Sequence, residues 1–365
     1  MKKFLFVILF STLLSASTQV DVKACKKCHP IIAKEFAISM HKRASIDEDK
    51  IHKAFWNIHP LKAKNNYICA KCHTPDYVGK KRAFTCLSCH AIIDIQKHKK
   101  SNKNIYSKKP KTFYSAQKGK ENQSIKFKLT SSWLGTKKST GSAYHTIDYT
   151  HENFYTGEVC MGCHSHKQNG KGFTLCVTDE SGAKDKKENC ITCHMPKIDG
   201  SATTVRITKK HAFHGFAGLR VSPKMLSKYI TLDLQKREKG FEIIIKSDVP
   251  HLLLTHPARI LQLKSVIIRG DKRIPLKKET FVKINGTNKR ASLPWLATEV
   301  VKNNMIKAKE KRVIPFKTSL KSGDRVEVTL GFYLINPKLQ KKLHLMQEKE
   351  LVKFTTLTSH EFFIK

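Results

Sequence analysis

Cys69-Ala70-Lys71-Cys72-His73 and, after a short gap, Cys86-Leu87-Ser88-Cys89-His90 carry the pattern that decides how this chain is read. Three more copies occur outward from them: Cys25-Lys26-Lys27-Cys28-His29, Cys160-Met161-Gly162-Cys163-His164 and Cys190-Ile191-Thr192-Cys193-His194. Two cysteines three apart with a histidine directly after the second form the attachment signature of c-type haem. The thiols become thioethers to the porphyrin vinyl groups, and the histidine is placed to bind the iron on its proximal face. Zinc sites and disulfides also use paired cysteines. Neither explains a histidine after every pair. With 18 histidines in 365 residues, five such coincidences have odds of roughly 10⁻⁷ by independent placement of the motif residue. The cofactor expected is therefore haem c, five copies, attached at Cys25, Cys28, Cys69, Cys72, Cys86, Cys89, Cys160, Cys163, Cys190 and Cys193. The proximal iron ligands expected are His29, His73, His90, His164 and His194. Cys176, in the apolar run Gly172 to Val177, belongs to no motif and reads as a small buried side chain.

Around the motifs the chain divides in two. Cysteine is confined to residues 25 to 193. That part has short helical stretches such as Pro30 to Arg43 and polar, lysine-rich loops, with Lys97 to Lys120 expected as an exposed loop. It lacks continuous apolar periodicity, so porphyrins would have to supply much of its core. From Phe241 the texture changes. Phe241 to Lys246, Lys264 to Arg269, Thr280 to Ile284, Arg325 to Tyr333 and Lys353 to Thr358 are rich in Val, Ile, Phe and Thr, several with the alternation of half-buried strands. Gly270-Asp271, Asn285-Gly286 and Ser322-Gly323-Asp324 read as turns between them. The fold class expected is mixed: a mainly α and irregular multihaem cytochrome domain over 18–225, then an all-β sandwich-like C-terminal domain over 226–365.

Lys2 and Lys3, the apolar run Phe4 to Leu14 and the small residues Ser15-Ala16-Ser17 have the three-part form of a cleavable secretory signal, 1–17. The run is too short to span a bilayer, and Lys23-Ala24 before Cys25 fits a lipoprotein signal poorly. Periplasmic location is expected. Lys plus Arg outnumber Asp plus Glu by 69 to 29, a formal charge of +40. Loss of the leader and five haems, each with two propionates and a ferric core, would leave roughly +33. Such a surface suits acidic or membrane-associated redox proteins, or is simply a solvated lysine coat. Export argues against nucleic acid.

The sixth ligand of each iron decides its chemistry. A second histidine saturates the metal for electron exchange, whereas an open position admits a small molecule. Thirteen histidines lie outside the motifs. His41, His145, His151, His211, His214, His98 and His59 are the leading distal candidates. His52, His166, His251 and His256 stand behind them, and His344 and His360 are set aside. Met195, next to His194, reads as the cap of the motif helix with Pro196.

Cys25 to Ala44 resembles the opening of the multihaem cytochrome family typified by the tetrahaem cytochrome that accepts electrons from hydroxylamine oxidoreductase in nitrifying bacteria. There CxxCH is followed by an aromatic residue and Ser-x-His-x-x-Ala, here Phe36, Ser39, His41 and Ala44. The aromatic is usually Trp, so Phe36 is a departure. The resemblance implies His41 as a distal ligand. Phe154 to Pro196 is similar to a segment of larger multihaem cytochromes that ends in CxxCHMP, and Val249-Pro250-His251 loosely resembles the start of the β domain in some members. A fifth motif and the β part depart from the tetrahaem prototype, so its partner is not carried over. Pentahaem nitrite reductases typically use one motif ending in Lys, and all five here end in His. The function expected is electron transfer between redox partners through mostly bis-histidine haems. The alternatives are an oxidoreductase of a small nitrogen or sulfur compound at one open haem, and a subunit of a larger redox complex in which the β part docks.

Overall fold

The computed structural model describes residues 22–75, 84–109, 111–178 and 180–365. The expected leader and the Cys176 side chain lie outside the described residues. Among those described, no helix is long and apolar enough to cross a membrane.

Alternation in the C-terminal part builds two antiparallel sheets. Ile230–Arg237, Gly240–Ser247 and Lys311–Phe316 form one, in that order. The other runs Arg290–Ala291, Glu279–Thr287, Ile260–Arg269, Arg325–Tyr333, Phe354–Phe363, with Lys272–Pro275 and Glu299–Asn303 attached. Period-2 residues of both sheets point into one core. Phe241, Ile243 and Ile245 from the first meet Leu261, Leu263, Ile267, Val326, Val328, Leu330 and Phe332 from the second, all essentially buried. Burying each such side chain stabilises by about 1.5–3 kcal/mol. Gly240 sits in the left-handed region at φ +115°, and a Cβ there would fall 2.0 Å from the Phe316 carbonyl oxygen.

Two expectations are corrected. Asn285-Gly286 is not a turn but lies inside Glu279–Thr287, at a register shift against Glu299–Asn303. The chain turns instead at Asn288 and Lys289, both at positive φ. Gly286 serves close approach: a Cβ would meet the Arg290 carbonyl oxygen at 2.1 Å. Lys97 to Lys120 is not a plain loop. Lys103–Tyr106 pairs with Ile92–Gln96, and Thr112–Tyr114 pairs with Thr146–Asp148. The lysines stay outside while Asn102 and Tyr114 are buried.

The first part is held differently. Its helices are short: Pro30–Ile38, Lys50–Asn57, and one turn or little more at the motifs. Pro30–Ile38 stops before the expected Arg43 because Ser39 is extended at ψ 153°. The buried Ser39 hydroxyl then accepts the Lys42 N–H at 3.0 Å, turning the chain so that His41 faces inward. The apolar clusters are small, Phe36 with Ala44 and Phe84, and Phe213 with Ala217 and Val221. Asn169 ties the two parts together, its side-chain N–H groups donating to the Pro294 and Ala297 carbonyls at 3.0 and 2.7 Å.

Candidate haem-binding site

Each motif is a single helical turn. The His29, His73 and His90 N–H groups donate to the carbonyls of Cys25, Cys69 and Cys86 at 2.9, 3.0 and 3.0 Å. On such a turn residues i, i+3 and i+4 share one face, so both sulfurs and the imidazole project together. Asn189 opens the last of these turns with a reciprocal cap: its side chain accepts from the Ile191 and Thr192 N–H groups, and Thr192 accepts from the Asn189 N–H. Met195 caps its end.

Four motif imidazoles have a fixed tautomer. Nδ1 of His29, His73, His90 and His194 donates to the carbonyls of Ala202, Ala44, Tyr114 and Ala217 at 2.7, 3.1, 2.7 and 2.6 Å. A carbonyl only accepts, so the proton is on Nδ1 and the Nε2 lone pair is free for a metal. Burial, followed by neighbouring histidines, holds the acidity of several rings in the same direction. His164 and His73 are lowered to about 4, and His90 is lowered by burial first. These rings stay neutral, which is the ligating form.

Four motif rings each face a second imidazole. His29 lies 6.3 Å from His145, His90 6.3 Å from His214, and His194 6.3 Å from His251, centroid to centroid. His164 lies 5.8 Å from His41. Two imidazoles trans on one metal, with bonds of about 2.0 Å and ring nitrogens about 1.1 Å from the centroid, stand about 6 Å apart. The facing rings are prepared like the motif rings. Nδ1 of His214 and of His251 donates to the Ala212 and Leu252 carbonyls, each at 2.7 Å. His41 is lowered to about 3 by burial and then by His164, and its Nδ1 is buried without a hydrogen-bond partner.

His73 differs. Its nearest ring is His52 at 4.0 Å, too close for an iron between them. Both rings bond through Nδ1 to the same Ala44 carbonyl, at 3.1 and 3.0 Å, so they stand side by side. His256 is electrostatically close to His73. Its Nδ1 accepts the Ala258 N–H at 3.2 Å, which puts its proton on Nε2.

The remaining candidates face no motif imidazole. His59 and His98 accept the Leu61 and Lys100 N–H groups through Nδ1, each at 3.1 Å, and His59 packs against Trp56 and Trp295. His151 donates to the Ile93 carbonyl at 3.1 Å and lies edge-on to Tyr114. His211 has both ring nitrogens engaged, with the Gly200 carbonyl at 2.9 Å and Glu35 Oε1 at 2.8 Å. Glu35 Oε2 accepts the His214 N–H at 2.8 Å, so His211 and Glu35 brace the neighbour that does face a motif. His251 was not among the leading candidates. The signal for it was the Val249-Pro250-His251 segment just before the second sheet.

All ten motif cysteines are half-buried, and all ten line one continuous cavity of about 2910 Å³. Single small-molecule sites are about 300–1,000 Å³, so this space suits several large groups. Among the described residues no three His, Cys, Asp or Glu side chains converge as a zinc cage needs. Sulfurs of different motifs lie close enough to interact: Cys25 with Cys86, Cys72 with Cys163, and Cys160 with Cys190. Cys89 lies within electrostatic reach of Cys160 and Cys163. These residues fit haem attached through each cysteine pair.

No protein-family model matches the sequence, and no curated protein matches it. A curli protein of E. coli covers 28% of the chain at 12% identity and a TM-score of 0.16, too poor a superposition to mark a shared fold. A penta-heme cytochrome c552 from Thermochromatium tepidum superposes over 94% of this chain and 99% of its own, at 19% identity and a TM-score of 0.70, and the two proteins share a fold.

Proposed function

We propose that this chain is a periplasmic cytochrome carrying five haem c groups, one at each CxxCH motif, and that it transfers electrons between redox partners. The observation that carries the reading is the set of four motif histidines each facing a second imidazole 5.8–6.3 Å away. His145, His214, His41 and His251 are the distal ligands opposite His29, His90, His164 and His194. Haem iron held between two imidazoles supplies one-electron exchange without bond chemistry. The chain fixes tautomers through the backbone carbonyls, and burial keeps His41, His90, His164 and His214 neutral. Export rests on the leader-like N-terminus.

Neighbouring sulfurs support one order of sites. The first motif neighbours the third, the second the fourth, and the fourth the fifth. The fourth also neighbours the third. Cys160–His164 is therefore the junction of a branched array rather than a link in a line. His41, opposite it, feels His164, His73 and His194 together.

His41→Ala and His251→Ala test the pairing. In each, all five haems stay attached, and one low-spin ferric signal in the electron paramagnetic resonance spectrum is replaced by a high-spin one. An unchanged spectrum in either variant removes that residue from the ligand set.

A second reading is favoured by His73, whose near neighbour His52 shares its carbonyl and cannot stand opposite it. The haem at Cys69 and Cys72 then has a distal side without an imidazole preset for iron, the place where a small nitrogen or sulfur compound could be reduced or oxidised. One high-spin signal in the native protein that one equivalent of cyanide turns low-spin supports it. Five low-spin signals indifferent to cyanide leave the carrier alone.

A further inference from the structure

Lys128–Ser131 and Lys137–Thr140 form a two-stranded hairpin with Leu129 opposite Ser139 and Ser131 opposite Lys137. All eight strand residues are exposed, so the outer part of the hairpin projects into solvent. Isolated two-stranded hairpins are marginal in water. Its turn is Ser132-Trp133-Leu134-Gly135, closed by the Gly135 N–H donating to the Ser132 carbonyl at 3.0 Å. Gly135 takes the left-handed position at φ +77°. The central turn positions ordinarily hold Pro, Asp, Asn, Ser or Gly. Here they hold Trp133, 93% exposed, and Leu134, 70% exposed. Among the described residues nothing covers them. From Asn122 to Ile147 the chain has Lys126, Lys128, Lys137 and Lys138 and no acidic residue.

We propose that this hairpin seats the protein on bilayer surfaces rich in anionic phospholipid. Trp133 and Leu134 enter the interface, and the four lysines lie at the level of the phosphates. Trp is at home at that depth, and lysines just outside it are drawn by the negative surface potential. The distribution of residues favours lipid over a protein pocket. Trp133 and Leu134 sit together at the tip, while the stem strands, Leu129 apart, carry only lysine, serine and threonine, and protein interfaces are depleted in lysine and serine. The assignment is independent of haem content, yet it has a consequence for it. Phe127, Ser139 and Tyr144 at the hairpin root line the large cavity, and the next residue, His145, faces His29. Seating by the tip therefore turns the Cys25–His29 site toward the membrane.

The test is co-sedimentation of the full, haem-loaded protein with vesicles of phosphatidylcholine alone or mixed with phosphatidylglycerol. The variant is Trp133→Ser with Leu134→Ser, which leaves the charge untouched. An unchanged haem absorption spectrum shows that it is folded. The native protein should bind the mixed vesicles in preference and keep part of that binding in high salt. The variant should bind about tenfold more weakly, as loss of an interfacial anchor implies. Equal binding by the two would assign attraction to the lysine coat at large and overturn the proposal. So would equal affinity of the native protein for neutral and mixed vesicles. Equal vesicle binding with slower electron uptake from an acidic soluble donor would overturn it by making the hairpin a protein-docking arm.

Discussion

Residues 230–365 carry a core of their own, and the described residues of 22–229 do not. In the C-terminal part, twenty buried side chains join in one cluster between two sheets. In the N-terminal part the apolar clusters centre on three buried residues each, and the middle is a cavity lined by all ten motif cysteines. One half is closed by its own aliphatic and aromatic residues. The other is built of short helices and short strands around the cavity. The halves are not independent, because His251 and Trp295 of the C-terminal part line the same cavity.

Protein made in a host that cannot attach haem puts the largest strain on this contrast. The N-terminal shell should lose its tertiary structure while the sandwich persists, so limited proteolysis should leave a protected fragment beginning near Ile230. Equal resistance of both halves would break the comparison. Phe332→Ala sharpens it from the other side. Phe332 is fully buried between the sheets, and its truncation should cost about 3–5 kcal/mol, read as a lower denaturant midpoint. The haem absorption of the still-folded protein should not move. A shifted haem spectrum would mean that the sandwich tunes the sites through its packing.

Asp324 gives a smaller effect. Its carboxylate accepts two bonds from Arg269, at 2.9 and 2.7 Å, and the Lys321 N–H at 2.8 Å. The hydrogen bonds from Arg269 come first among the causes that hold its acidity at about 2, below the ordinary 3.8. The stabilisation is then fully present above pH 3.8 and is lost as pH falls from there toward 2. Asp324→Asn should cost about 2 kcal/mol at neutral pH and flatten the acid limb of the stability curve. An unchanged acid limb would show that the pair contributes nothing.

How much could be read beforehand followed the same division. Strands with clean alternation, such as Arg325–Tyr333, stood where period 2 put them, because one face had a core to meet. Asn285-Gly286 misled because a turn dipeptide can equally mark close approach of two backbones. In the Lys97 to Lys120 stretch the lysines hid two strands whose intervening residues turn inward. At the candidate sites, the proposed thioether attachment would confine two sulfurs and an imidazole to five consecutive residues, a pattern visible without a structure. The facing imidazoles were not, because the chain brings them from elsewhere. His41 follows the first motif but faces the fourth, and His145 precedes the fourth but faces the first. No rule of sequence distance separates His251, which faces His194, from His211, which braces Glu35.

Mass spectrometry of the mature protein, intact and after digestion, measures most directly whether the five motifs hold haem. Each Cys-x-x-Cys-His peptide should carry about 616 Da beyond its bare mass, as thioether attachment requires, and the whole protein five times that. Colourless protein of bare polypeptide mass from a haem-attaching host, or protein loaded with zinc, would contradict it.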